Sequence, residues 1–233
     1  MDKKMNSKHG FTLAEILITL TVIGVVAALT IPTLLQNTQQ AELKTALKRN
    51  FADLSQATNL IKNDLGGSFV GAFPGNYGSS EALKNAYKGK LSYIKDCSAD
   101  PVYGGTGSGA SPEGCWHGQY EWQWLGGSKR LLNVEPGLIL NNGTLIIFYN
   151  KNTQCSEPTE PAGDITYCGF MYFDVNGFKK PNTIGKDIFE VFVTNDGLIP
   201  SGARGDSPPS DPYYGCLPTS VLGLGCTAKY LYE

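Results

Sequence analysis

Glu15 is the residue whose surroundings demand an explanation. It is the only charge in the apolar run Phe11–Leu35, and a carboxylate in hydrocarbon costs about 2.5–3.5 kcal/mol on insertion scales. Such a group is tolerated where a cation meets it, so the chemistry it suggests is a buried ion pair. Asp174, Asn176 and Asp187 form a second candidate set, oxygen donors of the kind calcium accepts. "DVNG" at 174–177 lacks the twelve-residue EF-hand pattern, however, and Asn-Gly is also plain turn chemistry.

Cys97, Cys115, Cys155, Cys168, Cys216 and Cys226 are the third set. No CxxC occurs, and His9 and His117 are the only histidines, so the closely paired ligands of a zinc site are missing. An even count behind an export-like segment reads as disulfides in an oxidising compartment. The nearest-neighbour pairs 97–115, 155–168 and 216–226 close short loops, each contributing about 3 kcal/mol in the loop-closure account.

Other motifs have plainer readings. Tyr120, Trp122 and Trp124 alternate, so on a strand they share one face. There they pack on the helix, or stack on sugar rings or a partner subunit. His117 beside them suggests no Ser-His-Asp arrangement. Arg204-Gly205-Asp206 spells an integrin-binding tripeptide inside a Pro/Gly/Ser-rich segment, which reads as an exposed loop. There is no glycine-rich phosphate loop and no defensible pair of catalytic carboxylates, so an enzyme is the least expected function. The formal charge of −2 excludes nucleic acid as an obvious partner. Removing residues 1–10, with three lysines and one aspartate, leaves 16 basic and 20 acidic residues, a mildly acidic surface.

The elements that must position these residues follow from periodicity. Residues 1–10 are polar and basic. Residues 11–35, as a helix of about 38 Å, are long enough to cross a hydrocarbon core of about 30 Å, with Gly24 and Pro32 expected to soften or kink it. Lys3, Lys4 and Lys8 precede the run, so the positive-inside rule leaves the bulk of the chain outside the cytoplasm. Residues 36–65 continue the helix in amphipathic form, with Leu43, Leu47, Phe51, Leu54, Thr58, Ile61 and Leu65 on one face. Gly66-Gly67 stops it. Within the head, 66–233, a short helix is expected near 80–91. Short β runs flank Asn142-Gly143, Asn176-Gly177 and Asp196-Gly197, dipeptides suited to tight turns. The fold expected is α+β: a long N-terminal helix laid on a small antiparallel sheet, with disulfides in the head.

The stretch Gly10-Phe11-Thr12-Leu13-Ala14-Glu15, the apolar run after it and Pro32 resemble the leader of type IV pilins and type II secretion pseudopilins. The resemblance covers about the first 35 residues. It implies a pilin-like fold and a cut between Gly10 and Phe11 by a prepilin peptidase, with methylation of the new Phe11 amine. Glu15 becomes the fifth mature residue and, in the family, pairs with the terminal amine of a neighbouring subunit in a filament. The implied partners are the peptidase, copies of this chain, other pilin-like subunits and the bacterial inner membrane, with the head outside the cytoplasm. The machine is a surface pilus or a secretion pseudopilus. Glu15 argues against the tip-capping pseudopilin, whose members usually lack it, and the acidic balance disfavours a DNA-uptake minor pilin. The alternatives are a secretory signal cut near Val26-Ala27-Ala28, a plain single-span anchor, and a membrane-anchored extracytoplasmic binding module with glycans as its candidate ligand.

Overall fold

The computed structural model describes residues 12–74, 80–97, 122–130, 135–159 and 164–233. They fall into two compact units, one up to Glu42 and the other Leu43–Glu233. Helix α1 (Leu13–Asp64) contributes to both. It continues as one helix past Gly24 and Pro32.

In the first unit every large apolar side chain of α1 is exposed, Leu13 at 77% and Leu29 at 71%. An 18-residue window reaches a mean hydropathy of 2.3, none of it buried within the chain. The threonines of this segment satisfy their own hydroxyls. Thr19 donates to the Ile16 carbonyl, Thr21 to Leu17, Thr30 to Val26 and Thr38 to Leu34.

The second unit begins with the last turns of α1. Gly67 N–H bonds the Lys62 carbonyl at 2.8 Å and Gly66 N–H bonds that of Asn63 at 3.1 Å, the paired bonds of a Schellman stop. Helix α2 (Ser80–Lys88) follows, then, among the described residues, ten short strands in chain order. These are β1 (Tyr93–Cys97), β2 (Trp122–Gln123), β3 (Lys129–Arg130), β4 (Gly137–Leu140), β5 (Leu145–Asn150), β6 (Glu157–Pro158), β7 (Thr166–Tyr167), β8 (Gly169–Asp174), β9 (Ile188–Thr194) and β10 (Gly197–Pro200). Helix α3 (Cys226–Tyr232) ends the chain. Among the described residues the main sheet is antiparallel and runs β1-β4-β5-β8-β9-β10, while β2-β3 and β6-β7 are two-stranded. Asn142-Gly143 and Asp196-Gly197 make tight turns, with φ of 86° at Gly143 and 136° at Gly197. Asn176-Gly177 instead opens the longer β8–β9 connection.

Strand alternation divides the core in two. Ile146, Phe148, Met171, Phe173, Val191 and Val193 face the first cluster, which holds Leu47, Leu54, Ala57 and Ile61 of α1 and Leu83 and Tyr87 of α2. Leu145, Ile147, Tyr149, Tyr172 and Ile188 face a second cluster closed by Trp122 and Ile184. The sheet is therefore covered on both faces. The apolar pattern had provided only for the helical cover, and Leu65, counted on its face, is 41% exposed.

Polar ties fix the helices. Buried Asn50 of α1 accepts from Asn142 Nδ2 (2.9 Å) and Thr144 Oγ1 (3.0 Å) at the β4–β5 turn. Thr58 and Tyr87 share a hydroxyl bond of 2.5 Å. Lys44 Nζ lies 2.8 Å from Glu233 Oε2 and 4.4 Å from the Tyr230 ring centre, joining α3 to α1. Fully buried Lys84 meets Glu81 and Asp96, each at 2.5 Å, and Lys88 bonds the other oxygen of Asp96. Two disulfides close the expected short loops, Cys155–Cys168 and Cys216–Cys226. Cys97 is disulfide-bonded too, and Cys115, its expected partner, lies outside the described residues.

Burial pushes the Asp96 carboxyl up, but hydrogen bonds from Lys84 and Lys88 outweigh it and hold the pKa below the ordinary 3.8. A depressed carboxylate stabilises the fold above its unfolded pKa, and that contribution is lost as pH falls through the folded value. Asp96→Asn should lower stability at neutral pH by about 2 kcal/mol, less than a wholly buried pair because Glu81 still meets Lys84. Denaturant melts across the acid range should show a shallower loss for the variant than for the native chain.

Candidate functional site

Glu15 sits in the first turn of α1, and Thr12 immediately precedes that helix. The Thr12 backbone N–H donates to Glu15 Oε2 at 2.8 Å, and the Glu15 N–H donates back to Thr12 Oγ1 at 3.3 Å. The Thr12 hydroxyl also donates to Oε2, at 2.8 Å. This reciprocal pair is a capping box, which satisfies helix-start donors that have no partner within the helix. A carboxylate there also meets the positive end of the helix dipole. Glu15 thus takes two donors on one oxygen, and Oε1 takes none of these bonds. Gly10 and Phe11, the expected processing residues, lie outside the described residues. Thr12 is the participant that the sequence reading missed. Its signal was present in Thr-Leu-Ala-Glu, the Ser/Thr-x-x-Glu spacing of a capping box.

The structure brings Asp174, Asn176 and Asp187 together. Asp187 accepts from the N–H groups of Asn182 (2.8 Å) and Thr183 (2.7 Å), and Asp174 accepts from Asn176 N–H at 3.1 Å. With its nitrogen turned inward, the orientation that satisfies the hydrogen-bond network, the Asn176 amide bridges the two carboxylates. It then lies 2.7 Å from Asp174 Oδ1, 3.2 Å from Asp187 Oδ2 and 3.3 Å from the Lys179 carbonyl. Burial raises the Asp187 pKa despite the backbone bonds it receives. Among the described residues no three His, Cys, Asp or Glu side chains cluster as metal ligands.

The aromatic set is consumed by the fold. Trp122 is fully buried, with its ring 5.5 Å from that of Tyr172. The Arg130 guanidinium sits 4.6 Å from the Trp124 ring centre and 4.3 Å from that of Tyr172. Trp122 therefore presents no open sugar platform and half-buried Trp124 carries the Arg130 guanidinium over its ring, while Tyr120 and His117 lie outside the described residues. Asp206 corrects the expectation of an exposed loop at Arg204-Gly205-Asp206. It is 6% exposed, and its carboxylate accepts from Gly202 N–H (2.7 Å) and the Ser201 hydroxyl (3.2 Å), so it belongs to a structural turn.

A capped carboxylate at the head of an apolar helix, followed by an α+β disulfide-bonded head, defines a pilin-like architecture. The family model described as the prokaryotic N-terminal methylation motif matches residues 5–31. That stretch is the prepilin-type leader found in type IV pilins and pseudopilins. No curated protein and no solved structure matches it significantly.

Loss of an N-cap hydroxyl costs about 1 kcal/mol. Thr12→Ala should therefore speed hydrogen exchange of the Glu15 amide by roughly fivefold in detergent micelles, while Thr12→Ser keeps the native rate.

Proposed function

We propose that the precursor is cut between Gly10 and Phe11 by a prepilin peptidase, held in the inner membrane by 11–35 with its head outside the cytoplasm, and polymerised through that segment. It is on this reading a structural subunit of a pilus or secretion pseudopilus rather than an enzyme. The observation that carries the reading is Glu15, capped by Thr12, at the start of a helix whose apolar surface the chain itself leaves uncovered. The cap orders the carboxylate within one turn, about 6 Å along the axis, of the amine that cleavage would expose at Phe11. A neighbour's amine then supplies the missing charge. Two buried charges that are penalised singly become tolerable as a pair, which selects one register of helix against helix.

Gly10→Val should leave the precursor uncut, read as an intact mass that still includes Met1. Glu15→Val should be cut normally yet fall at least about tenfold in sheared filament yield, since the amine is left unpaired at a cost of about 3–5 kcal/mol. Native yield for that variant would remove the pairing role.

A second reading concerns the β8–β9 connection. Turning the Asn176 amide over directs its oxygen at Asp174, Asp187 and the Lys179 carbonyl, an all-oxygen set of the kind calcium accepts. This arrangement would favour the pseudopilus. Calcium at a hundredfold excess over its Kd then adds about 2.7 kcal/mol to stability. The melting temperature rises by several degrees, and Asp187→Asn abolishes the rise. An unchanged melting temperature leaves the amide bridge as the native arrangement.

A further inference from the structure

The chain holds two Asn-Gly steps, Asn142-Gly143 and Asn176-Gly177, and the fold gives their side chains opposite surroundings. An asparagine before glycine is open to attack on its own amide carbon, because glycine has no side chain to shield the backbone nitrogen. Whether attack proceeds depends on how the amide is held.

At the β4–β5 turn Asn142 and Gly143 are both exposed, and a Cβ on Gly143 would meet nothing within 4 Å. Asn142 Oδ1 accepts from Thr144 N–H at 3.0 Å. That bond spans Gly143, so it folds the Asn142 side chain over the Gly143 peptide. It also aims a donor at the oxygen on which charge develops during attack, as an oxyanion hole does. Gly143 N–H is held by the Leu140 carbonyl at 2.9 Å, a single bond to open at an exposed hairpin tip. Asn142 lines an open cavity of 340 Å³ beside Arg49, Asp53 and Ser92, through which water enters and ammonia leaves.

Asn176 is the contrast. Its amide nitrogen bridges the carboxylates of Asp174 and Asp187, at 2.7 and 3.2 Å, and two acids oppose negative charge developing on that amide. Gly177 is buried, and a Cβ on it would strike the Gly143 carbonyl at 2.5 Å. Water has no comparable approach to this step.

We propose that Asn142 is a site of spontaneous covalent modification that loosens the head. The Gly143 nitrogen bonds to Asn142 Cγ, the Cγ–Nδ2 bond breaks, and the Gly143 amide proton leaves with the ammonia. Water then opens the succinimide ring at either carbonyl, giving aspartate or isoaspartate, the latter with an extra backbone atom in the turn. The balance needs only water. The product changes the packing, because Asn142 Nδ2 donates to buried Asn50 Oδ1 at 2.9 Å. A carboxylate in its place turns an acceptor towards an acceptor. The tie between α1 and the turn is then left to Thr144 Oγ1, which bonds the same Asn50 oxygen at 3.0 Å. This chemistry is separate from Glu15 and does not depend on filament assembly.

The test is peptide mapping by mass spectrometry of the full chain, aged in detergent and, in parallel, in denaturant. Without the fold the two steps differ little, and their rates should be similar. In the native chain Asn142 should convert at least about tenfold faster than Asn176, and hydroxylamine should trap the succinimide at 142. Native conversion of Asn142 no faster than that of Asn176, or a native ratio no larger than the ratio in denaturant, would overturn the proposal. Asn142→Asp stands in for one product. Amide hydrogen exchange around Asn50 should quicken about tenfold in that variant, and native exchange there would overturn the loosening of the head.

Discussion

Burial of the central strands on both faces is the constraint on which the head depends. Every residue of β5 and β9 is buried, and all but one of β8. Each face then needs its own cover, since an open apolar face would be a large exposed patch. The last turns of α1, with α2, cover one face. The other is closed by chain that has little regular structure, including Trp122, Ile184 and Leu224. Such segments lose much conformational entropy on ordering, and the disulfides act where that loss is concentrated. Cys216–Cys226 closes the loop that carries Leu224 on this face, whereas Cys155–Cys168 packs in the helix-side core and pins the β5–β8 connection there.

The N-terminal unit obeys a different rule. Among the described residues its large apolar side chains are exposed, a surface long and apolar enough to suit lipid or the face of another helix. Glu15 belongs to that surface, and its Thr12 bonds give the carboxylate ordered partners within its own first turn. A charge held in one orientation presents a defined target, whereas a free rotor would have to be ordered at the moment of pairing.

Much of this was legible in the residues, and what was not has physical reasons. The long helix, its Gly66-Gly67 stop and the hairpins at Asn142-Gly143 and Asp196-Gly197 follow from local periodicity and backbone freedom, which sequence displays directly. Thr12 was equally legible by spacing but was read only as part of an apolar run. Asn50 and Thr58 were not, because a buried polar residue declares itself only when its partner, here Thr144 or Tyr87, is known to be near. The second core escaped for the same reason. Its members come from distant segments, and Trp122, read as packing on the helix or stacking on a ligand, stands instead against Tyr172 in the second core. Asp206 looked exposed because its tripeptide is hydrophilic, although its carboxylate serves the backbone of Gly202.

The threonines of the apolar segment carry one more consequence. Transfer scales score each hydroxyl as though it left water unpartnered, but Thr19, Thr21, Thr30 and Thr33 each return theirs to a carbonyl on the preceding turn. Their desolvation penalty is largely cancelled before the helix meets any solvent. The segment is therefore a more oily rod than its letters suggest, and a mean hydropathy of 2.3 understates its apolar character.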